Sequence, residues 1–223
     1  MNTNANLIFQ RLQNIEDEIN KLSNILFALK TTDLQNYSAN YEELSTDAAL
    51  RAERITCQLR NLIYISDCTN KSTYMKLAAD AHGIHVMQEN GILSITLPGL
   101  LPKRKARTNT AFLHEPLNYA LQEYLKNHNL TLYKDCVVCF SQIYDADLSL
   151  RRIRDYDNLE FKQILDTIAA YILLDDSGLF CDSYHTTELG KHDHTTVYIM
   201  EKAAFPEWVK SRKNRVKSIS EIS

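Results

Sequence analysis

The stretch that decides the fold is GIHVMQENGILSITLP, Gly83 to Pro98. Ile84 to Met87 and Ile92 to Leu97 are apolar, partly β-branched runs with a period of two, and Asn90-Gly91 lies between them. Both central residues of a type I′ turn need positive φ, and Asn-Gly supplies that at low steric cost. The segment therefore reads as a β-hairpin, closed by Pro98, which cannot continue a ladder. Downstream, a polar loop with Lys103, Arg104, Lys105 and Arg107 precedes a helix from about His114 to Lys126 with Leu117, Leu121 and Leu125 on one face. A strand over Cys136 to Tyr144 and a loop from Asp145 to Arg154 follow. A helix from Asn158 to Leu174 should bury Leu165, Ile168 and Ile172. It is stopped by Asp175-Asp176-Ser177-Gly178, before strands near Leu179 to Thr186 and Thr195 to Glu201. The order β, β, α, β, α, β, β predicts an α+β fold, a mixed β-sheet with packed helices.

Upstream the grammar differs. Residues 1 to 82 contain no Gly and no Pro, whereas the rest of the chain holds all 5 Gly and all 4 Pro. Ile8, Leu12, Ile15, Ile19, Leu22, Leu26 and Leu29 alternate spacings of four and three, the mark of a heptad seam. A second helix is expected from about Asn40, with Glu43 as its capping partner and Leu44, Ala48, Ala52, Ile55, Leu59 and Leu62 on one face. Residues 31 to 39 connect the two, and a short third helix is expected over Ser72 to His82. The pair closes as a helical hairpin within the chain or pairs with another subunit. The expected division is thus a helical hairpin over 1–82, an α/β domain over 83–205 and a basic tail over 206–223.

Composition excludes several classes. The net charge of the 223 residues is −3, so any nucleic-acid surface must be local. Five cysteines, an odd number in a chain of this size, do not suggest a disulfide scaffold. Cys136-Val-Val-Cys139 has zinc-like spacing, but in a strand positions three apart face opposite sides. His192-Asp193-His194 alternates like a metal site in a polar turn. Glu16, Asp17 and Glu18 interrupt the apolar positions near the N-terminus, so no signal peptide or membrane span is expected and the reading is a cytoplasmic protein.

The chemistry-bearing stretch is Arg151-Arg152-Ile153-Arg154-Asp155-Tyr156-Asp157-Asn158. If it is extended, Asp155 and Asp157 point to one side. A hard cation such as Mg²⁺ takes a few carboxylate oxygens and leaves positions for water and phosphate. Asp175 and Asp176 come after a helix of about 17 residues, or about 25 Å of rise, which sets them far from the first pair. Each acid also has a structural reading: Asp157 or Asn158 as an N-cap, Asp175 and Asp176 as turn residues.

Arg154-Asp155-Tyr156-Asp157-Asn158-Leu159, a following Lys, Asp166 and Leu174-Asp175-Asp176 together resemble the signature of the RusA-type Holliday junction resolvases, small bacterial and phage endonucleases. The resemblance covers roughly residues 91 to 203. It includes Ser94 to Pro98 as the family's strand ending in Leu-Pro, then a basic loop, a helix and a strand in the family's order. It implies an Mg²⁺-dependent enzyme, with Mn²⁺ as a substitute, that works as a homodimer on branched DNA and cuts two opposed strands of a four-way junction. Asp155, Asp157 and Asp176 would be the metal carboxylates and Lys162 the catalytic lysine. The metal would polarise the scissile phosphate and help generate hydroxide, and a lysine would stabilise charge in the transition state. Acids of different subunits could share a site. The chain departs from the pattern in three places. Phe161 occupies the family's lysine position, with Lys162 one residue on. The loop after Pro98 lacks the family's Pro-Pro-Ser-Asn character, with Asn109 as a stand-in. The helices before residue 83 have no counterpart and could serve dimerisation or partner docking. Phosphate contacts supply most DNA affinity, so Arg151, Arg152 and Arg154 beside the acids, and Lys103, Arg104, Lys105 and Arg107 in the loop, are the DNA-binding candidates. The basic segment Lys210 to Lys217 is a further one.

Overall fold

The computed structural model describes residues 3–66, 70–102 and 111–216. It divides into two compact units, one up to Thr73 and one from Tyr74. The division falls inside the third helix, nine residues before the last residue of the Gly-free and Pro-free region.

The first unit is a helical hairpin of α1 (Thr3–Thr31) and α2 (Ser38–Ser66). Helix α2 begins at Ser38, so Asn40 lies inside it and does not cap it. The seam differs from its expected composition. Ile15, Ala48 and Ile55 are buried, and Ile8, Leu22 and Leu29 are half-buried. Leu12, Ile19 and Leu26 instead stand 41, 47 and 49% exposed. The inward positions between the apolar ones are Arg11, Glu18 and Ile25. Glu18 is 9% exposed and accepts hydrogen bonds from Arg51 at 3.0 Å, Arg54 at 3.3 Å and Lys21 at 3.0 Å. A buried carboxylate is tolerated when cations surround it. These partners, with the Lys21 bond contributing most, hold its carboxyl below the usual range. Hydrophobic spacing could not reveal a seam that uses charge.

Helix α3 (Lys71–Ala81) leads into the second unit, where β1 (His85–Glu89) and β2 (Ile92–Leu97) form the expected hairpin. Asn90 has φ 51° and Gly91 φ 78°, and Glu89 pairs with Ile92 across the turn. The remaining elements are α4 (Ala111–Asn127), β3 (Cys136–Asp145), α5 (Lys162–Ile172), β4 (Cys181–Gly190), β5 (His194–Glu201) and α6 (Phe205–Val216). The five strands make one mixed sheet in the order β1-β2-β5-β3-β4. Only β3 and β4 run parallel, joined through α5, as a parallel pair requires a crossover. The α+β architecture is as expected. The late strands are longer than expected, because β4 extends to Gly190 along its partner β3.

Strand β3 is buried along nearly its whole length because both faces are covered. Cys136, Val138 and Phe140 join the main core with Leu117, Leu121, Ile164, Ile168 and Ile172. Val137 and Cys139 face the other way, against Met200 and Trp208. The two cysteines of Cys136-Val-Val-Cys139 therefore lie on opposite faces of the sheet and do not form a ligand pair. The segment after Trp208 is helical through Val216 and not a loose tail. Arg212 stacks over Trp208 at 4.3 Å and Tyr198 at 4.8 Å, bonds Ser141 Oγ at 3.0 Å and pairs with Glu188. It is an anchor of α6 on the sheet.

Candidate metal and DNA site

The motif lies between β3 and α5. Two single 3-10 turns, Leu150–Arg152 and Tyr156–Asn158, stand where one loop and the start of a long helix were expected. Asp155 is extended (φ −67°, ψ 142°) and Asp157 lies inside the second turn. The stretch is therefore not a continuous strand. With three residues per 3-10 turn, side chains two apart diverge, so Asp155 and Asp157 do not share the direction that extended backbone would impose. Asp155 holds the N-cap position of that turn without making a side-chain cap bond.

Tyr156 anchors the turn to the sheet. Its hydroxyl lies 2.9 Å from Thr187 Oγ1, and its ring stacks on His185 at 5.4 Å. His185 in turn meets Phe140 at 5.5 Å and Phe161 at 4.8 Å. Burial depresses the basicity of the His185 imidazole. The reading from sequence missed His185 and Thr187. The only signal for them was their shared parity on a strand whose pairing partner was unknown.

Phe161, in the place of the family's lysine, packs against the core. Lys162 begins α5, and its amine donates to both oxygens of Asp166, at 2.9 and 2.8 Å. That bond comes first among the causes that raise its pKa, and the field of Asp176 adds to it. Helix α5 has 11 residues, about 16 Å of rise. That is shorter than the expected Asn158 to Leu174 and reduces the separation of the two acidic segments. Asp175 is the turn residue: it accepts the Ser177 N–H at 2.6 Å, which holds its carboxyl below the usual range.

The acids of this region thus fall into two groups. Asp145, Asp166, Asp175, Asp182, Glu188 and Asp193 each bond or pair within the chain. Asp155, Asp157 and Asp176, together with Asp147 and Glu160, make no side-chain hydrogen bond or ion pair with another described residue. Carboxylates are the donor type that Mg²⁺ takes. Among the described residues of one chain, however, no three His, Cys, Asp or Glu side chains form a group that could hold a metal ion. His192, Asp193 and His194 are included in that statement, and Asp193 serves another purpose.

Asp193 binds Arg152 through both oxygens, one at 2.7 Å, and accepts the Asp145 N–H at 2.7 Å. Arg152 also donates to Asp145 O at 2.9 Å and lies 5.3 Å from the Tyr144 ring. Its bond to Asp193 is the main reason the Asp193 carboxyl sits below the usual range. Arg154 donates through Nη1 to Leu101 O at 3.2 Å, and its N–H donates to the Tyr144 hydroxyl at 3.1 Å. Two of the three arginines expected on DNA beside the acids thus hold the loop in place, and Arg151 is the one of the three left exposed without a side-chain partner among the described residues. Lys103, Arg104, Lys105 and Arg107, with Asn109, lie outside the described residues. A cleft of about 270 Å³ between α3, β1 and α4 includes Lys76, Ile84, Glu123 and Tyr124 and none of the motif residues. The rim of this cleft pairs internally, Lys76 with Glu123 at 2.9 Å.

Fold and site together define an α+β protein with an acidic turn carried beside a sheet edge. The chain belongs to the DUF6100 family, described as a family of unknown function, which it matches over residues 3–223. No curated protein matches it. One similar solved structure is the periplasmic domain of Helicobacter pylori MotB, at 12% identity and a TM-score of 0.33, covering 60% of this chain and 88% of that one. A likeness at that level supports no statement about this chain. No helix among the described residues is long and apolar enough to cross a membrane.

Proposed function

We propose that the second unit is a divalent-metal-dependent endonuclease that resolves branched DNA, with four-way junctions as substrate. The observation that carries the reading is the coincidence of two independent selections. The resolvase-like pattern singles out Asp155, Asp157 and Asp176, and these belong to the few acids of the region with no side-chain partner among the described residues. The neighbouring acids, Asp175 and Asp166 included, already have partners. Uncommitted carboxylates keep their oxygens for Mg²⁺ or Mn²⁺, which when bound would polarise a phosphate and acidify water. Tyr156 ties the turn to β4 and orients both acids, and Arg151 offers a cation for a neighbouring phosphate. Two copies would supply two cuts, and a metal shared between copies fits a chain that does not gather the three acids by itself.

A second reading is a DNA-binding or adaptor protein on the same scaffold. It is favoured by Phe161 in the lysine position and by the bonding of Lys162 to Asp166. The deciding assay incubates the full chain with an end-labelled four-way junction and with linear duplex of the same sequence, in Mg²⁺ or Mn²⁺, beside Asp157→Asn. Paired nicks on the junction that vanish in the variant support the nuclease. Junction binding by both proteins without nicks supports the adaptor, and neither binding nor cutting removes both.

A further inference from the structure

The helical hairpin keeps its charges apart. All eight Asp and Glu of residues 3–66 fall from Glu16 to Glu53, whereas residues 3–15 and 55–66 hold Arg11 and Arg60 and no acid. Within the acidic part the inward charges are paired, Glu18 with Arg51, Arg54 and Lys21. Arg11 departs from this rule. It stands at an inward position, half-buried, with no hydrogen bond or ion pair to a described residue. Its own helix offers it nothing. Glu16 is five residues on, about 140° around the helix, and Glu18, two turns on along the same face, is already taken by its three cations. A cation drawn partly out of water is costly unless an anion meets it.

Arg11 lines a cavity of about 290 Å³ on the hairpin together with Asn14, Gln58 and Asn61. None of these three amides bonds a described side chain. Gln58 Oε1 is buried there without a donor. Since neither end of that amide is engaged, a half-turn about its last bond brings its N–H groups to the same point at little cost. Four residues then offer donors to one space, five N–H of a guanidinium and two of each amide, and the lining contains no carboxylate.

We propose that this notch binds the phosphate group of a small phosphate monoester, with the Arg11 fork on two of its oxygens and the amides of Asn14, Gln58 and Asn61 around the rest. A guanidinium fork matches carboxylate and phosphate equally, and the amides choose between them. A carboxylate has two oxygens and is satisfied by the fork alone. A phosphate monoester keeps a further oxygen and nearly two charges, which is what three uncommitted amides serve. The cavity equals the share of roughly ten waters in the liquid, so it has room for the carbon group that carries the phosphate.

The inference does not depend on the nuclease reading and is tested without DNA. The full chain, labelled with ¹⁵N, is titrated with glycerol 3-phosphate, inorganic phosphate, acetate and sodium chloride at matched ionic strength, and the side-chain amide signals of Asn14, Gln58 and Asn61 are followed. We expect saturable shifts of all three with glycerol 3-phosphate, half-saturation by inorganic phosphate at the same or a higher concentration, and half-saturation by acetate at a concentration about tenfold higher. Arg11→Gln should weaken the glycerol 3-phosphate response about tenfold. Asn61→Asp changes an exposed position and sets a like charge against the ligand, so it should weaken the response by a similar factor. That variant decides the matter if circular dichroism shows Arg11→Gln to be unfolded. No saturable shift, shifts no larger than those from sodium chloride, or an unchanged response in Asn61→Asp or in folded Arg11→Gln overturns the proposal. Acetate binding as tightly as glycerol 3-phosphate overturns the choice of phosphate, and tighter binding of inorganic phosphate overturns the choice of an ester.

Discussion

Replacing His185 by Ala removes the ring on which the acidic turn rests. The imidazole meets three aromatic rings: Phe140 at 5.5 Å, Phe161 at 4.8 Å and Tyr156 at 5.4 Å. An aromatic pair contributes about 0.5–1.5 kcal/mol beyond its area. His185 is only half-buried, so the lower half of the summed range applies, about 1.5–3 kcal/mol. For a unit of this size that lowers the melting temperature by roughly 5–10 °C. Burial depresses the His185 pKa, and the sign follows from linkage. The unfolded chain takes up a proton near the ordinary value of about 6.5, while the folded ring stays neutral to a lower pH. Stability is therefore full above about 6.5 and falls as pH drops from there toward the depressed folded value. His185→Phe keeps a ring and removes the titration, so its loss of stability between pH 7 and pH 5 should be smaller than that of the wild type. Urea unfolding followed by Trp208 fluorescence at several pH values reads both effects. A loss below ~0.5 kcal/mol for His185→Ala, or an unchanged pH slope for His185→Phe, would refute the reasoning.

Three more outcomes are expected. Asp155→Asn and Asp157→Asn should change stability by less than ~0.5 kcal/mol, because neither side chain has a partner among the described residues, and thermal unfolding checks this. Asp193→Ala removes the carboxylate partner of Arg152, leaving it only Asp145 O, and the acceptor of the Asp145 N–H. It should lower the urea midpoint and speed proteolysis between residues 145 and 158, detected by mass spectrometry of limited digests. Gly91→Ala must hold φ near 78°, which should cost about 1 kcal/mol in unfolding experiments; an unaltered midpoint would argue against the type I′ turn.

Much of the fold was legible because its signals are local. Asn90-Gly91 needs only its own backbone to make a turn, and the leucines of α4 declare their face by spacing alone. The first helix shows where such reading ends. Leu12, Ile19 and Leu26 satisfy a heptad as well as the true inward residues do, and only the position of Arg51 and Arg54 makes Glu18 an inward residue. The arginines before the motif fail in the same way. Their clustering suggests phosphate, but Asp193, forty-one residues beyond Arg152, claims one of them.

By itself the sequence determined the helical hairpin, the alternating strands, the order of elements around the motif and the identity of its acids. These depend on side-chain chemistry and on neighbours within a few residues. Tertiary structure decided which acids and arginines are committed. Arg152 is clamped by Asp193 and Tyr156 rests on His185 and Thr187, across the fold, whereas Asp175 and Asp166 are engaged by neighbours two and four residues away. A charged side chain is available for a metal or a phosphate only if the fold brings it no opposite partner, and for Arg152 that partner comes from a segment distant in sequence.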